Sequence, residues 1–340
     1  AEGARDKLTA LIIRDLEQVA EFSAGAIRHD TDRLRLSLHY LAEAVAHALR
    51  ADQPPETWRL YSPQDFAHPD TAPPDLAVSW RYRRSLPDGR QATTAISMDH
   101  PTFVIPTDQK TNPDATWPRL ATIATVLKRI YGFSGSIVHR VYFGLENGVH
   151  VSYPGHGHFD PAFDPRQRPW YRQAVQQEEV TWLSYEDAST GRIVFTAVMP
   201  ITDEAGRIIG AAAIDILPVE LMKLDQIQTR WSDQTRAFIV MTQSPEGREG
   251  ELWVIARGDL NTAERGEIAD QPLAQATQTD PARLQTFARQ MQTNNTGYTE
   301  MPDDGVDAIW AFARIPQPIR EKIYLVLILP QTIVTAQADG

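Results

Sequence analysis

The chain has 340 residues, a net charge of −11 from 33 Lys and Arg against 44 Asp and Glu, no cysteine, and 42% hydrophobic residues. That acidic balance excludes general binding to nucleic acid or to anionic membrane surfaces, both of which demand basic patches. The length suits two units or one large one, and the lack of cysteine suits a compartment where thiols would be oxidised.

In chain order, Ile12, Leu16, Val19, Ser23 and Ala26 continue into Leu34, Leu38, Leu41, Val45 and Leu49 at three- and four-residue steps, which predicts one long amphipathic helix within residues 1–50. The proline-rich stretch Asp52 to Pro74 reads as a connector. Strands are predicted at Ala77 to Arg83 and Gln91 to Met98 around the Pro87-Asp88-Gly89 turn, and the short basic cluster Arg81-Tyr82-Arg83-Arg84 is expected to solvate a hairpin edge rather than grip phosphate. Helix Arg119 to Ile130 follows, then strands Ser136 to Phe143 and Val149 to Tyr153 around Glu146-Asn147-Gly148. Strands Arg192 to Met199 and Arg207 to Ile216 close this module around Asp203 to Gly206. After a helix Pro218 to Gln228, the order recurs: strands Ala237 to Thr242 and Leu252 to Ala256, a helix opened by Asp280-Pro281 and running to Met291, and strands Ala308 to Ile315 and Lys322 to Leu329. The expected class is α+β, with a long N-terminal helix and two modules that each hold an antiparallel sheet flanked by helices, as in PAS-like folds. The expected domains are residues 1–50, 51–228, 229–330 and a tail 331–340.

Two charged positions stand out. Pro169 fits the first position of a helix Trp170 to Gln177, which puts Arg168 at its amino end. A cation there opposes the helix dipole, so an anion is expected beside it: Asp160, Asp164 or a ligand. Asp215 is the lone charge in Ile208 to Leu217, on the face of Ile209, Ala211 and Ala213, where small neighbours leave space and burial demands a cation or several donors. An internal ion pair or a loop tie would also meet that demand. Trp182 reads as core, whereas Trp170 and Tyr171 read as packed rings with polar tips reaching a cavity.

The ordered motifs Val141-Tyr-Phe-Gly-Leu-Glu-Asn-Gly-Val-His-Val-Ser-Tyr-Pro154, Asp164-Pro-Arg-Gln-Arg-Pro-Trp-Tyr171, Trp182-Leu-Ser-Tyr-Glu-Asp-Ala-Ser-Thr-Gly191 and Met199 to Ile216 resemble the double Cache (dCache) sensor domains of prokaryotic transmembrane receptors. The resemblance is close over Val141 to Leu224 and holds in outline elsewhere. It implies a ligand carboxylate held by Arg168 and Trp170 and an ammonium held by Tyr171 and Asp215, with Tyr185 and Asp187 lining the same pocket. Phe163 stands where the resemblance leads one to expect a tyrosine, so one hydroxyl is absent, and amines, purines and other small polar metabolites stay open beside amino acids and carboxylates. No Arg-x-Trp-Tyr motif recurs in residues 229–330, so the smaller module is expected to transmit rather than bind.

The resemblance further implies an extracytoplasmic, periplasmic position in an inner-membrane receptor, with membrane helices flanking this region and a possible homodimer along the N-terminal helix. No apolar run here approaches the roughly eighteen residues that cross a bilayer, and Ala1-Glu-Gly-Ala-Arg5 lacks a signal-peptide pattern. His156-Gly-His158 with Asp160 reads as a loop over the pocket rather than a metal site, and no cofactor is expected. The alternatives are a secreted hydrolase using Asp187 or Asp215, and a protein-binding module with a vestigial pocket.

Overall fold

The structure, a computed structural model, describes residues 2–56, 59–86, 90–112, 115–134, 137–187, 189–191, 193–217, 220, 234–243, 249–258, 271–315 and 322–333. Two compact units result, one of residues 32–217 and one of residues 1–31 with 218–340. The helix expected at Pro218 to Gln228 lies, apart from Glu220, outside the described residues, as does the Pro87-Asp88-Gly89 turn. Helix α1 (Glu2–Arg50) runs unbroken and supplies residues to both units. Its stripe Leu16, Val19, Ala20, Leu34, Leu38, Leu41 and Val45 is buried, as the spacing requires.

In the 32–217 unit, β1 (Ala77–Ser85) and β2 (Gln91–Ile96) form a separate hairpin. The main sheet is antiparallel and contains β3 (Thr102–Val104), β4 (Val138–Leu145), β5 (His150–Tyr153), β6 (Thr181–Glu186), β7 (Ile193–Thr202) and β8 (Ile208–Ile216), in the order β3-β5-β4-β8-β7-β6. The turns between strands follow the sequence signals: Gly148 and Gly206 adopt φ of 84° and 75°, which glycine reaches at little cost. Helices α2 (Thr107–Thr111), α3 (Ile123–Phe133) and α4 (Pro169–Ala174) complete the unit. The expected helix from Arg119 starts as a 3-10 turn, Trp117–Thr122, and α4 ends three residues earlier than expected.

Register decides what the sheet presents. Arg140 of β4 lies opposite Asp215 of β8, which lies opposite Thr196 of β7; two residues on, Tyr142, Ala213 and Val198 are aligned in the same way. Side chains alternate along a strand, so all six share one face. Helix α4 lays Trp170, Tyr171 and Ala174 onto Tyr142, Val198, Ala211 and Ala213. The alanines keep that face low enough for the rings. Gly144 does the same on β4, where an added Cβ would sit 2.7 Å from Pro165 Cβ and 3.1 Å from Trp170 Cη2.

The second unit repeats the plan. Strands β9 (Arg236–Gln243), β10 (Glu249–Gly258), β11 (Gln271–Pro272), β12 (Thr296–Asp303), β13 (Val306–Ile315) and β14 (Ile323–Pro330) pair in the order β11-β10-β9-β14-β13-β12. With the edge strands β3 and β11 set aside, both sheets read 2-1-5-4-3 when strands are counted from β4 and from β9. Helices α5 (Leu273–Thr277) and α6 (Pro281–Thr293) lie beside this sheet. Asp280 caps α6 by accepting from the Ala282 N–H at 2.9 Å. Leu284, Phe287 and Met291 of α6 pack on Phe238, Trp310, Phe312 and Tyr324, while Ile13 and Leu16 of α1 pack on Ile309, Ala311 and Leu329. Both faces of β13 and β14 are therefore covered, which accounts for their nearly unbroken apolar runs.

Candidate functional site

Arg168 precedes a proline, which pushes it into the extended region at φ −82° and ψ 145°. The chain before it is tied down separately: Asp164 accepts from the Arg166 N–H at 2.9 Å and pairs with the Arg166 guanidinium at 2.9 Å. Asp160, the other acid expected to serve Arg168, accepts from the Ala162 N–H at 2.7 Å. The half-buried Arg168 side chain has no hydrogen bond or ion pair with the described residues.

Asp215 is buried on the sheet face below. Its Oδ1 accepts from the Tyr142 hydroxyl and from Thr196 Oγ1, each at 2.7 Å. The Tyr185 hydroxyl lies 2.7 Å from that of Tyr142. Because the Tyr142 proton is committed to Asp215, Tyr185 donates to Tyr142, giving a Tyr185 to Tyr142 to Asp215 relay. Oδ2 of Asp215 has no partner among the described residues. Desolvation, followed by the nearby Asp187 charge, pushes the Asp215 carboxyl up from 3.8 to about 7; the bonds from Tyr142 and Thr196 and the charge of Arg140 oppose the rise. Burial and the same acid raise both tyrosines well above their ordinary value.

Arg140 was not singled out by sequence reasoning, although a lone charge in the apolar run Ile137 to Phe143 carries the same signal as Asp215. It is 3% exposed, and its three guanidinium nitrogens have no hydrogen-bond partner among the described residues. Its guanidinium carbon stands 5.2 Å from the centroid of the Tyr82 ring, a cation–π contact that offsets part of its desolvation.

These groups border one cavity of about 350 Å³. Six of the seven residues expected at a ligand site line it: Phe163, Arg168, Trp170, Tyr185, Asp187 and Asp215. Tyr171 does not. Its ring packs in the cluster beneath α4 and its hydroxyl feels Glu146, Arg166 and Asp164 instead, because adjacent helical residues project about 100° apart and Trp170 already takes the cavity side. Asp187 lines the cavity but is occupied by its own loop, accepting from Ser189 Oγ at 2.7 Å, Thr190 Oγ1 at 2.6 Å and the Thr190 N–H at 3.1 Å. Tyr142, His150 and Ser152 also line it and were missed, since only strand register reveals which face they occupy.

His156, His158 and Asp160 border the cavity too, so the loop does lie over it. Burial lowers His156 well below its ordinary value and takes His150 down to about 3, so both imidazoles are neutral near pH 7. Among the described residues no three His, Cys, Asp or Glu side chains gather as a metal-binding group.

A cavity on the helix-covered face of one of two similarly ordered antiparallel sheets, behind a long N-terminal helix, defines a class: the fold is that of a double Cache sensor domain. The ligand-binding domain of the Pseudomonas aeruginosa amino acid chemoreceptor PctC, in complex with GABA, matches with a TM-score of 0.51 at 17% identity, covering 94% of this chain and 99% of that one. That of P. aeruginosa PctB in complex with L-Arg has a TM-score of 0.50 at 14% identity over 94% and 96% of the two chains. The Campylobacter jejuni chemoreceptor Tlp3 domain in complex with L-valine has a TM-score of 0.50 at 12% identity over 98% and 99%. In sequence, the chain is 38% identical over 139 residues to the methyl-accepting chemotaxis protein McpB of Bacillus subtilis, a match spanning 40% of this chain and 18% of McpB. No protein-family model matches the sequence.

Proposed function

We propose that this chain is the extracytoplasmic sensory domain of a signal-transduction receptor, and that the 32–217 unit binds a small amino-acid-like metabolite. Arg168, with the Trp170 indole, holds the ligand carboxylate, and Asp215 holds its ammonium group. The carrying observation is that Arg168 and Asp215 Oδ2 border the same cavity and neither has a partner among the described residues. A guanidinium suits a carboxylate, and a buried acid with a free oxygen suits an ammonium. The named ligands of PctC, PctB and Tlp3 each carry an amine and a carboxylate, which agrees with this division of the site.

The protonated Asp215 exchanges its proton for the ligand ammonium, while Tyr142 and Thr196 keep Oδ1 fixed. The chemistry is binding rather than turnover. A bound ligand shifts the domain toward the arrangement it binds more tightly, and α1, which supplies residues to both units, is the output element. Two copies pair along α1, and the domain stands outside a membrane to which flanking segments of the receptor tie it. Among the described residues no helix is long and apolar enough to cross that membrane.

A thermal-shift panel of amino acids, amines, purines and small carboxylates tests the site. The stabilising ligands should be amino acids, and Arg168→Ala and Asp215→Ala should each abolish their shift. A stabilising compound whose shift survives both substitutions would move the binding site elsewhere.

A further inference from the structure

The amino-acid reading above accounts for Arg168 and Asp215 and leaves a third charge unexplained. Arg140 is buried, borders the same cavity, and has no hydrogen-bond partner for any guanidinium nitrogen among the described residues. It lies opposite Asp215 in the β4–β8 ladder, yet the two form no ion pair: Asp215 offers Oδ1 to Tyr142 and Thr196 and leaves Oδ2 open. A buried cation without an anion is costly, and the contact with the Tyr82 ring offsets only part of that cost.

Other groups near Arg140 do not supply the anion. The Tyr82 hydroxyl is committed to the His139 carbonyl at 2.7 Å. His150, His156 and His158 are held toward the neutral form first by burial and also by the positive charge of Arg140. Asp187 is engaged by Ser189 and Thr190, and Asp160 by the Ala162 N–H. Asp164 is paired with Arg166, so the buried or half-buried charged groups of the cavity left without a partner among the described residues are the guanidinium groups of Arg140 and Arg168 and Oδ2 of Asp215. A neutral zwitterion would satisfy Arg168 and Asp215 and leave Arg140 buried and uncompensated.

We infer that Arg140 receives a second anionic group on the ligand, so that the site takes a small acidic amino acid carrying one amine and two carboxylates. This rests on the cavity being the amino-acid site. Arg140 then selects among amino acids by charge, because a side-chain amide in the same place leaves the guanidinium without its counterion.

Calorimetric titration of the whole 340-residue domain with L-aspartate and L-glutamate, against L-asparagine and L-glutamine, separates the two levels of the reading. Each acid should bind at least about tenfold more tightly than its amide, the margin expected of a charge-assisted hydrogen bond. Arg140→Gln should remove that preference while amide affinity changes little, and Arg140→Lys should retain part of it. Circular dichroism checks that each variant folds; if Arg140→Gln does not, the acid-to-amide ratio of the unmutated domain decides by itself. Amides binding as tightly as acids would overturn the role of Arg140 and leave the amino-acid site standing. Failure of all four compounds to bind would overturn the inference, while binding of other amino acids in the thermal-shift panel would keep the amino-acid site standing.

Discussion

Asp215 concentrates the physics of the site in one side chain. Its folded pKa of about 7 lies above the ordinary 3.8, so the neutral carboxyl contributes stability that is present in full below 3.8 and lost as pH rises through about 7. His150 works in the opposite sense. Its folded value of about 3 lies below 6.5, so its contribution is present above 6.5 and lost as pH falls toward 3. The two slopes oppose each other in the ligand-free domain. Asp215→Asn removes only the first, so chemical denaturation should find the variant gaining stability relative to the parent between about pH 4 and pH 7, the interval between the unfolded and folded values of Asp215. A constant difference across that interval would show that Asp215 does not titrate there. Asp215 was legible in the sequence as the lone charge of an apolar strand, and Arg168 as the residue before a helix-opening proline. Arg140 carried the same signal as Asp215 but was absorbed into a strand assignment, and the part played by Tyr142 needed the β4–β8 register, which no local pattern encodes.

At the scale of elements, the site exists because α4 lies flat on a sheet face made of small residues. Ala211, Ala213 and Gly144 create that seat, and Gly144 is the tightest point, with Pro165 and Trp170 directly above it. Gly144→Ala should therefore destabilise the domain by about 1–3 kcal/mol, the usual cost of overpacking, and weaken ligand binding by displacing Trp170. Urea denaturation measures the first effect and calorimetry the second; a variant as stable as the parent would mean that Pro165 is not seated on this strand. The strands beneath α4, namely β4, β7 and β8, were readable because alternation and glycine turns agree there. β3 was not, since three residues between prolines are too few for a pattern, and β6 (Thr181–Glu186) was noticed as a motif without being recognised as a strand. In the second unit, β12 was missed because only one turn separates it from β13, and its polar, alternating residues mark an edge.

For the whole molecule, the long first helix was the most legible element, because one apolar stripe continues through all of it. Its other side carries an unexpected feature: Leu11, Phe22, Leu36 and Tyr40 are exposed, Phe22 at 71% and Leu36 at 68%. At about 100° per residue these four fall within about 40° of one another around the helix. A second copy of the chain is the occupant proposed for that stripe. Sedimentation analysis should find a concentration-dependent dimer that Phe22→Glu with Leu36→Glu converts to monomer, with ligand affinity per chain little changed. A parent domain that stays monomeric at every concentration would remove the pairing.

The central claim is that opposite ends of one small amino acid are gripped by Arg168 and Asp215, and a crystal structure of the ligand-bound domain tests it most directly. The ligand carboxylate should lie within hydrogen-bond distance, about 2.7–3.2 Å, of the Arg168 guanidinium, with its ammonium on Oδ2 of Asp215. A ligand seated elsewhere, or an occupied cavity in which Asp215 pairs with Arg140 and touches no ligand atom, would contradict it.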